Sequence, residues 1–343
     1  MFTFFVRRLV YSFVVLYGVV TVTFFLMFVL PGDPARLMLG QRADVASVAA
    51  IRRQLGLDQP LVVQYYKFAT DLLPVDIIAK PTFEFKSYTY ASITTFGAGA
   101  DARVLCVKLP YLGRSYSSNR DVLATIVDRF PATGILALTA MVFATALGML
   151  IGILSAVRPY TFFDGAAMVF ALLGISLPVY VRGLLAALLF GVVLKWLPIS
   201  GYLNNGAEYL VLPALTLGLA PLGIVARITR SSMMDVLGQD YVRTAKAKGL
   251  SFRTVLFKHT LRNALNPVVT TVSTYMAALL AGAFFTEYIF NWPGIGQLTI
   301  DAILKLDFPM IEGTVLFTAV LFVATNLLVD LMYAVLDPKV KLG

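Results

Sequence analysis

The chain has 343 residues, 59% of them hydrophobic and 14% charged, with a formal net charge of +9. Soluble domains carry about 25% charged residues, so the composition excludes an ordinary soluble protein; surplus Lys and Arg in a membrane chain set its orientation and do not mark nucleic acid as a partner. The single cysteine, Cys106, excludes an intrachain disulfide, and the single histidine, His259, leaves too few ligands for a Cys/His metal centre; no metal or cofactor is expected in this chain.

The first expected element is a span over Leu9–Leu30. It is too long for a signal-peptide core of about 7–15 residues, and only Pro31-Gly-Asp-Pro34 follows it. An extracytoplasmic segment should fill 31–130. Within it, Val48, Ile51 and Leu55 share one face of a helix over Val45–Leu55, ended by Gly56-Leu-Asp-Gln-Pro60. Residues 75–109 read as a small folded insertion with some strand, such as Phe83–Tyr90. Cys106 lies there as a buried apolar side chain rather than a reactive thiol.

Five further runs reach the roughly 20 apolar residues that a span needs. They are Ala132–Val157, Gly165–Leu194 (interrupted by Pro178), Tyr209–Ala226, Pro267–Thr286 and Gly313–Leu336. The fold class is therefore an all-α membrane protein of six transmembrane helices. Placing both termini in the cytoplasm puts Arg7, Arg8, Arg158, the cations of Arg227–Arg262, Lys339 and Lys341 inside, a positive-inside pattern.

Asp240–Arg262 is a basic island between apolar runs. Gly249 permits positive φ, so one short helix ends there and another begins at an angle, with Ser251 as N-cap. Met234, Leu237, Tyr241 and Ala245 give the first helix an apolar face; Phe252, Val255 or Leu256, and His259 do so for the second. Thr244, Ala245 and Ala247 are small and allow close approach of a partner. Two readings stand: a rigid knob offered to a soluble motor, or a basic loop held at anionic lipid. His259 reads as a packed or capping side chain.

Polar groups inside spans are costly. Asn326 and Asp330 share a face of the last span and either line a path or brace the helix base against the island's cations. Arg182, four residues after Pro178, either snorkels, pairs, or faces a pore or partner subunit. No catalytic constellation appears. The chain has no Gly-x4-Gly-Lys-Ser/Thr phosphate loop, and Pro293-Gly-Ile-Gly296 reads as a tight turn.

With these residues in view, the chain resembles the B-type permease of the dipeptide/oligopeptide/nickel branch of ABC importers. The resemblance rests on Leu30-Pro-Gly-Asp-Pro34, Leu55-Gly-Leu-Asp-Gln-Pro60, Leu112-Gly-Arg-Ser115, Pro131-Ala-Thr133, Trp196-Leu-Pro-Ile-Ser-Gly201, Leu212-Pro-Ala-Leu215, Glu287–Gly296, Asp307-Phe-Pro309, Asn326–Asp330 and Asp337-Pro338. It covers nearly the whole chain except about 75–109. The island matches the family's coupling loop: Arg243-Thr244-Ala245 stands for its Glu-Ala-Ala, Gly249 is the fixed glycine, His259 and Leu261 follow, and Arg262 replaces a proline. The resemblance implies a type I (MetI-like) permease core of spans two to six within 131–343, with span one (1–30) peripheral. It implies a bacterial inner-membrane location and coupling through Asp240, Tyr241, Arg243, Thr244, Ala245, Ala247, Gly249, Leu250, His259, Leu261 and Arg262. The implied partners are a second homologous permease, two ABC ATPase subunits carrying ATP hydrolysis, an extracytoplasmic substrate-binding protein and membrane lipids. The implied cargo is a di- or oligopeptide, with nickel or another small solute as the alternative. The rival reading is a self-sufficient secondary transporter or channel, which would need intramembrane ionisable groups that the spans offer sparingly.

Overall fold

The computed structural model describes residues 2–28, 44–55, 57–79, 90–96, 103–281 and 283–336. The Leu30–Pro34 motif, Gly56, most of Phe83–Tyr90, Asp337-Pro338, Lys339 and Lys341 lie outside the described residues. In chain order the elements are α1 (Phe2–Phe28), α2 (Val45–Leu55), α3 (Leu61–Leu72), β1 (Val75–Ala79), β2 (Tyr90–Phe96), β3 (Arg103–Lys108), α4 (Val122–Val157), α5 (Phe162–Ser176) and α6 (Val179–Val193). They continue with α7 (Val211–Leu237), α8 (Asp240–Ala247), α9 (Phe252–Ala281), α10 (Phe284–Ile289), α11 (Ile295–Leu304) and α12 (Phe308–Leu336). Among the described residues five helices are long and apolar enough to cross a membrane, and α5 with α6 makes six if the bent pair counts as one span.

Several spans differ from the hydropathy reading. The third is two helices meeting at 110°. Pro178 crowds the backbone before it, so Leu177 leaves the helical region (φ −76°, ψ 129°) and α5 must stop. The helix of the fourth span continues as α7 to Leu237, past the exposed Arg227 and past Arg230, which donates two hydrogen bonds to Asp164. The second begins at Val122, with Pro131 inside the helix. The fifth ends at Ala281, leaving Thr286 to α10.

The chain forms two compact units, Phe2–Asp128 with Asp301–Ala319, and chiefly Arg129–Ile300 with Val320–Gly343. In the first, Phe24 of α1 is buried against Tyr65 and Phe68 of α3, and Thr21 shares a hydrogen bond with Tyr65 at 2.8 Å. The insertion is a three-stranded antiparallel sheet in the order β1-β3-β2, with Cys106 buried in the central strand opposite Asp76 and Ser92.

In the second unit α7 is the centre. Its Leu217 and Val225 join Leu136, Ala140 and Met141 of α4, Val268 and Leu279 of α9, and Trp292 in one core. Glycines bring the helices close, as small residues do in membrane bundles. A Cβ on Gly148 of α4 would stand 2.8 Å from the Leu222 carbonyl oxygen of α7. One on Gly218 of α7 would stand 2.8 Å from that of Ala140, and one on Gly174 of α5 2.9 Å from that of Leu219.

Candidate functional site

The island folds as an elbow. After α7 the chain turns at Gly238-Gln239 and enters α8, whose Val242 and Ala245 are buried with Val255 against Val236 and Leu237. Gly249 has φ +78°, and a Cβ there would meet nothing within 4 Å, so its demand is conformational and its surface is open. Ser251 caps α9 by accepting from the Thr254 amide at 3.3 Å. After its first turn, Phe252–Thr254, α9 is π-helical over Val255–Leu261, and Thr260 donates from its hydroxyl to the Val255 carbonyl at 3.1 Å within that widened turn. Asn263 then clasps the elbow, donating to the Tyr241 hydroxyl at 2.9 Å and to the His259 carbonyl at 3.0 Å.

Packing changes which residues face outward. Met234 and Leu237 belong to α7, and the buried face of α8 is Val242 with Ala245. Tyr241, expected on that face, is 44% exposed. Ala245 packs inward with Val255 and is closed to a partner; Thr244 and Ala247 remain open. In α9, Val255 and Leu256 are buried and His259 half-buried, whereas Phe252 is 57% exposed. Leu261 packs beside Leu256, Ala264 and Met233, and Arg262 is exposed. The exposed surface thus includes Asp240, Tyr241, Arg243, Thr244, Lys246, Ala247, Leu250 and Phe252, with apolar patches among cations. The Arg243–Asp240 ion pair, 3.6 Å long with side chains 74% and 97% exposed, contributes little. A cleft of about 350 Å³ lies beside the elbow, between Ala156 and Pro159, Met234 and Leu237, and Lys246 and Phe252.

Of the polar groups singled out in the spans, Asn326 donates to the Phe322 carbonyl of its own helix at 3.0 Å, and Asp330 is half-buried. Arg182 is 9% exposed, and its Nε and Nη1 are buried with no acceptor among the described residues.

Three buried carboxyl sites were not singled out in the sequence. Asp164, at the start of α5, takes Arg230 as a fork, at 2.6 Å to Nε and 2.7 Å to Nη2, and also accepts from the Tyr160 amide. Thr161 and Asp164 have the spacing of a capping box, the signal that could have marked them. Glu287 is fully buried and accepts from the Thr133 hydroxyl (2.7 Å) and the amides of Gly296 (2.7 Å) and Gln297 (3.1 Å). Thr133 in turn accepts from the Ile295 amide, so two side chains cap the first turn of α11. Asp307 accepts from the Ser115 and Ser117 hydroxyls and the Tyr116 and Ser117 amides. That knot ties Leu112-Gly-Arg-Ser115 to Asp307-Phe-Pro309, two motifs nearly two hundred residues apart.

The family described as "Binding-protein-dependent transport system inner membrane component" matches residues 148–342, and "Binding-prot-dependent transport system membrane comp, N-term" matches 1–82. The glutathione transport system permease protein GsiC of Salmonella paratyphi A is 39% identical over 94% of both chains. The di/tripeptide transport system permease protein DppB of Pseudomonas aeruginosa is 35% identical over 99% of both. Among solved structures, an inward-facing MetNI methionine ABC transporter chain has TM-score 0.45 at 15% identity, covering 61% of this chain and 96% of that one. An amino acid ABC transporter with histidines has TM-score 0.49 at 13% identity, covering 63% and 99%. The matches do not favour a self-sufficient transporter or channel. The chain therefore belongs to the binding-protein-dependent transport system inner membrane components, as a multi-pass ABC importer permease of the dipeptide, oligopeptide and nickel branch.

Proposed function

We propose that the chain forms half of the translocation path of an ATP-driven importer of di- or oligopeptides, paired with a second, homologous permease. Two ATPase subunits on separate chains drive it through Asp240–Arg262, and an extracytoplasmic binding protein delivers cargo. Both termini and the elbow face the cytoplasm, where the cations of 227–262 also meet anionic headgroups.

The observation that carries this reading is the elbow, supported by near full-length similarity to permeases named for glutathione and di/tripeptides. Val242, Ala245 and Val255 fasten it to α7 from within, while Tyr241, Thr244, Ala247, Leu250 and Phe252 project outward. A preformed knob binds without ordering cost at each cycle. Its rigid attachment to α7 lets motor closure tilt a membrane helix instead of bending a loop. Alternation between outward and inward access follows from that tilt.

The test is purification of the assembled complex, followed by uptake of a labelled tripeptide into proteoliposomes. ATPases should co-elute, and uptake should require ATP and binding protein. A Leu250→Asp, Phe252→Asp double variant should lose ATPase co-elution, because it places charge on the apolar ridge. Uptake that follows an imposed proton or sodium gradient and ignores ATP would overturn the reading.

A further inference from the structure

Arg182 lies on α6, one turn beyond Pro178 and the 110° break that separates it from α5. It is 9% exposed, and neither Nε nor Nη1 has an acceptor among the described residues. Arginine does not shed its proton in a protein, and an unpaired buried charge is strongly unfavourable. The buried carboxyls of this unit are already engaged, Asp164 by Arg230 and Glu287 by Thr133 and two amides. Next to Arg182, Gly183 is where α6 meets α7 and α10. A Cβ there would stand 3.1 Å from Ile289 Cδ1 and 3.4 Å from Thr216 Cγ2. The Thr216 hydroxyl, and that of Thr286 one turn before Phe290, are also buried with no partner among the described residues. The junction of three helices therefore leaves a guanidinium and two hydroxyls unpaired among the described residues, and no carboxylate there answers the positive charge. In secondary transporters, discontinuous membrane helices form the solute site, and the break at Pro178 supplies a helix interruption of that kind.

We propose that Arg182 receives the C-terminal carboxylate of the peptide cargo in transit; this rests on the peptide-importer reading above. Every linear peptide with a free C-terminus ends in that group whatever its side chains, so one guanidinium serves cargoes of varied sequence. The planar fork suits a carboxylate better than a point charge would. A single anionic contact, without a surrounding cage, also permits release.

The experiment uses the complete complex in proteoliposomes. ATP-driven uptake of trialanine is compared with that of its C-terminal amide, each loaded on the binding protein to equal occupancy. Wild type should favour the free acid. Arg182→Met should lower acid uptake about tenfold, as expected for loss of a charge-assisted pair, and leave the amide unchanged, so the acid-to-amide ratio falls toward one. Arg182→Lys should give an intermediate ratio. Half-saturation by binding protein should not move, since docking is untouched. An acid-to-amide ratio near one in wild type, or one unchanged in both variants, overturns the proposal. If Arg182→Met prevents assembly, Arg182→Lys decides alone, and a wild-type ratio there means the guanidinium braces a partner subunit instead. Failure of wild type to import either peptide would strike the peptide reading itself, a separate outcome.

Discussion

Replacing Glu287 with Ala tests whether the turn after α10 is held by its carboxyl. The change strands the amides of Gly296 and Gln297, which are first-turn donors of α11 with no intrahelical acceptor. The Thr133 hydroxyl also loses its acceptor, though it keeps the Ile295 amide. Each buried unsatisfied donor costs about 1–3 kcal/mol, so two amides and part of a hydroxyl amount to roughly 3–6 kcal/mol. At roughly 2–4 °C per kcal/mol for a unit of this size, melting should fall by about 6–24 °C. Glu287→Gln keeps an acceptor for the two amides and should cost about 1 kcal/mol. Trp292 reports locally, being fully buried with its indole N–H on the Ala132 carbonyl at 2.8 Å. Trp196 is the other tryptophan and is 70% exposed, so a Trp196→Phe background isolates the signal. The reasoning is refuted if the Ala variant melts within about 2 °C of wild type, a shift of under 1 kcal/mol.

Arg230→Met leaves Asp164 buried without its partner and should destabilise by about 3 kcal/mol; adding Asp164→Asn should restore most of the loss, and a double variant as poor as the summed singles counts against the pair. Gly152→Ala would place a Cβ 2.6 Å from Thr229 Cβ, an overpacking worth about 1–3 kcal/mol by thermal melting, whereas Gly134→Ala in the same helix meets open space and should be neutral or slightly stabilising. Burial works to raise the Asp307 carboxyl, but hydrogen bonds from Ser115, Ser117 and the Tyr116 and Ser117 amides outweigh it and hold the group below its ordinary value of 3.8. Its stabilisation is therefore present above that value and is lost as pH falls below it. Asp307→Asn should lower melting at pH 7 and flatten the acid limb below about pH 4; superimposable acid limbs would contradict this.

Apolar length announced the spans, but not where several of them bend, begin or end. Pro178 was visible as an interruption, yet a proline inside a span is compatible with a continuous helix, as Pro221 in α7 shows. Only the extended backbone at Leu177 reveals the break. Arg227 marks the end of the apolar run, but a charge that ends an apolar run does not end a helix, and α7 continues to Leu237. The Asp164 that neutralises Arg230 lies 66 residues away. In the elbow, Gly249 and Ser251 were legible because their tasks are local: a positive φ and a cap. The buried face was not, since residues on both sides of Gly238 were read as one continuous helix. Restarting the helix at Asp240 turns Val242 inward and Tyr241 outward. Glu287 and Asp307 stood in recognisable motifs, but their roles arise from partners 154 and 192 residues distant, which no local pattern encodes.

One helix joins the two sites proposed here. α7 spans 27 residues, about 40 Å at 1.5 Å per residue. Thr216 near its start faces Gly183, beside Arg182, and its end passes directly into the elbow. Between these points it has little freedom. Gly148 and Gly152 of α4 and Gly174 of α5 let neighbouring backbones press against it, and Gly218 does the same from its own surface. Close contacts on both sides of Pro221 favour movement of α7 as one body, and on the proposed coupling a displacement at Asp240–Arg262 would be carried along it to the Arg182 junction. Enlarging Gly152 should thus disturb coupling as well as stability: in reconstituted complexes Gly152→Ala should lower the peptides imported per ATP hydrolysed more than it lowers hydrolysis itself. Equal losses in both would show that the grip serves folding alone.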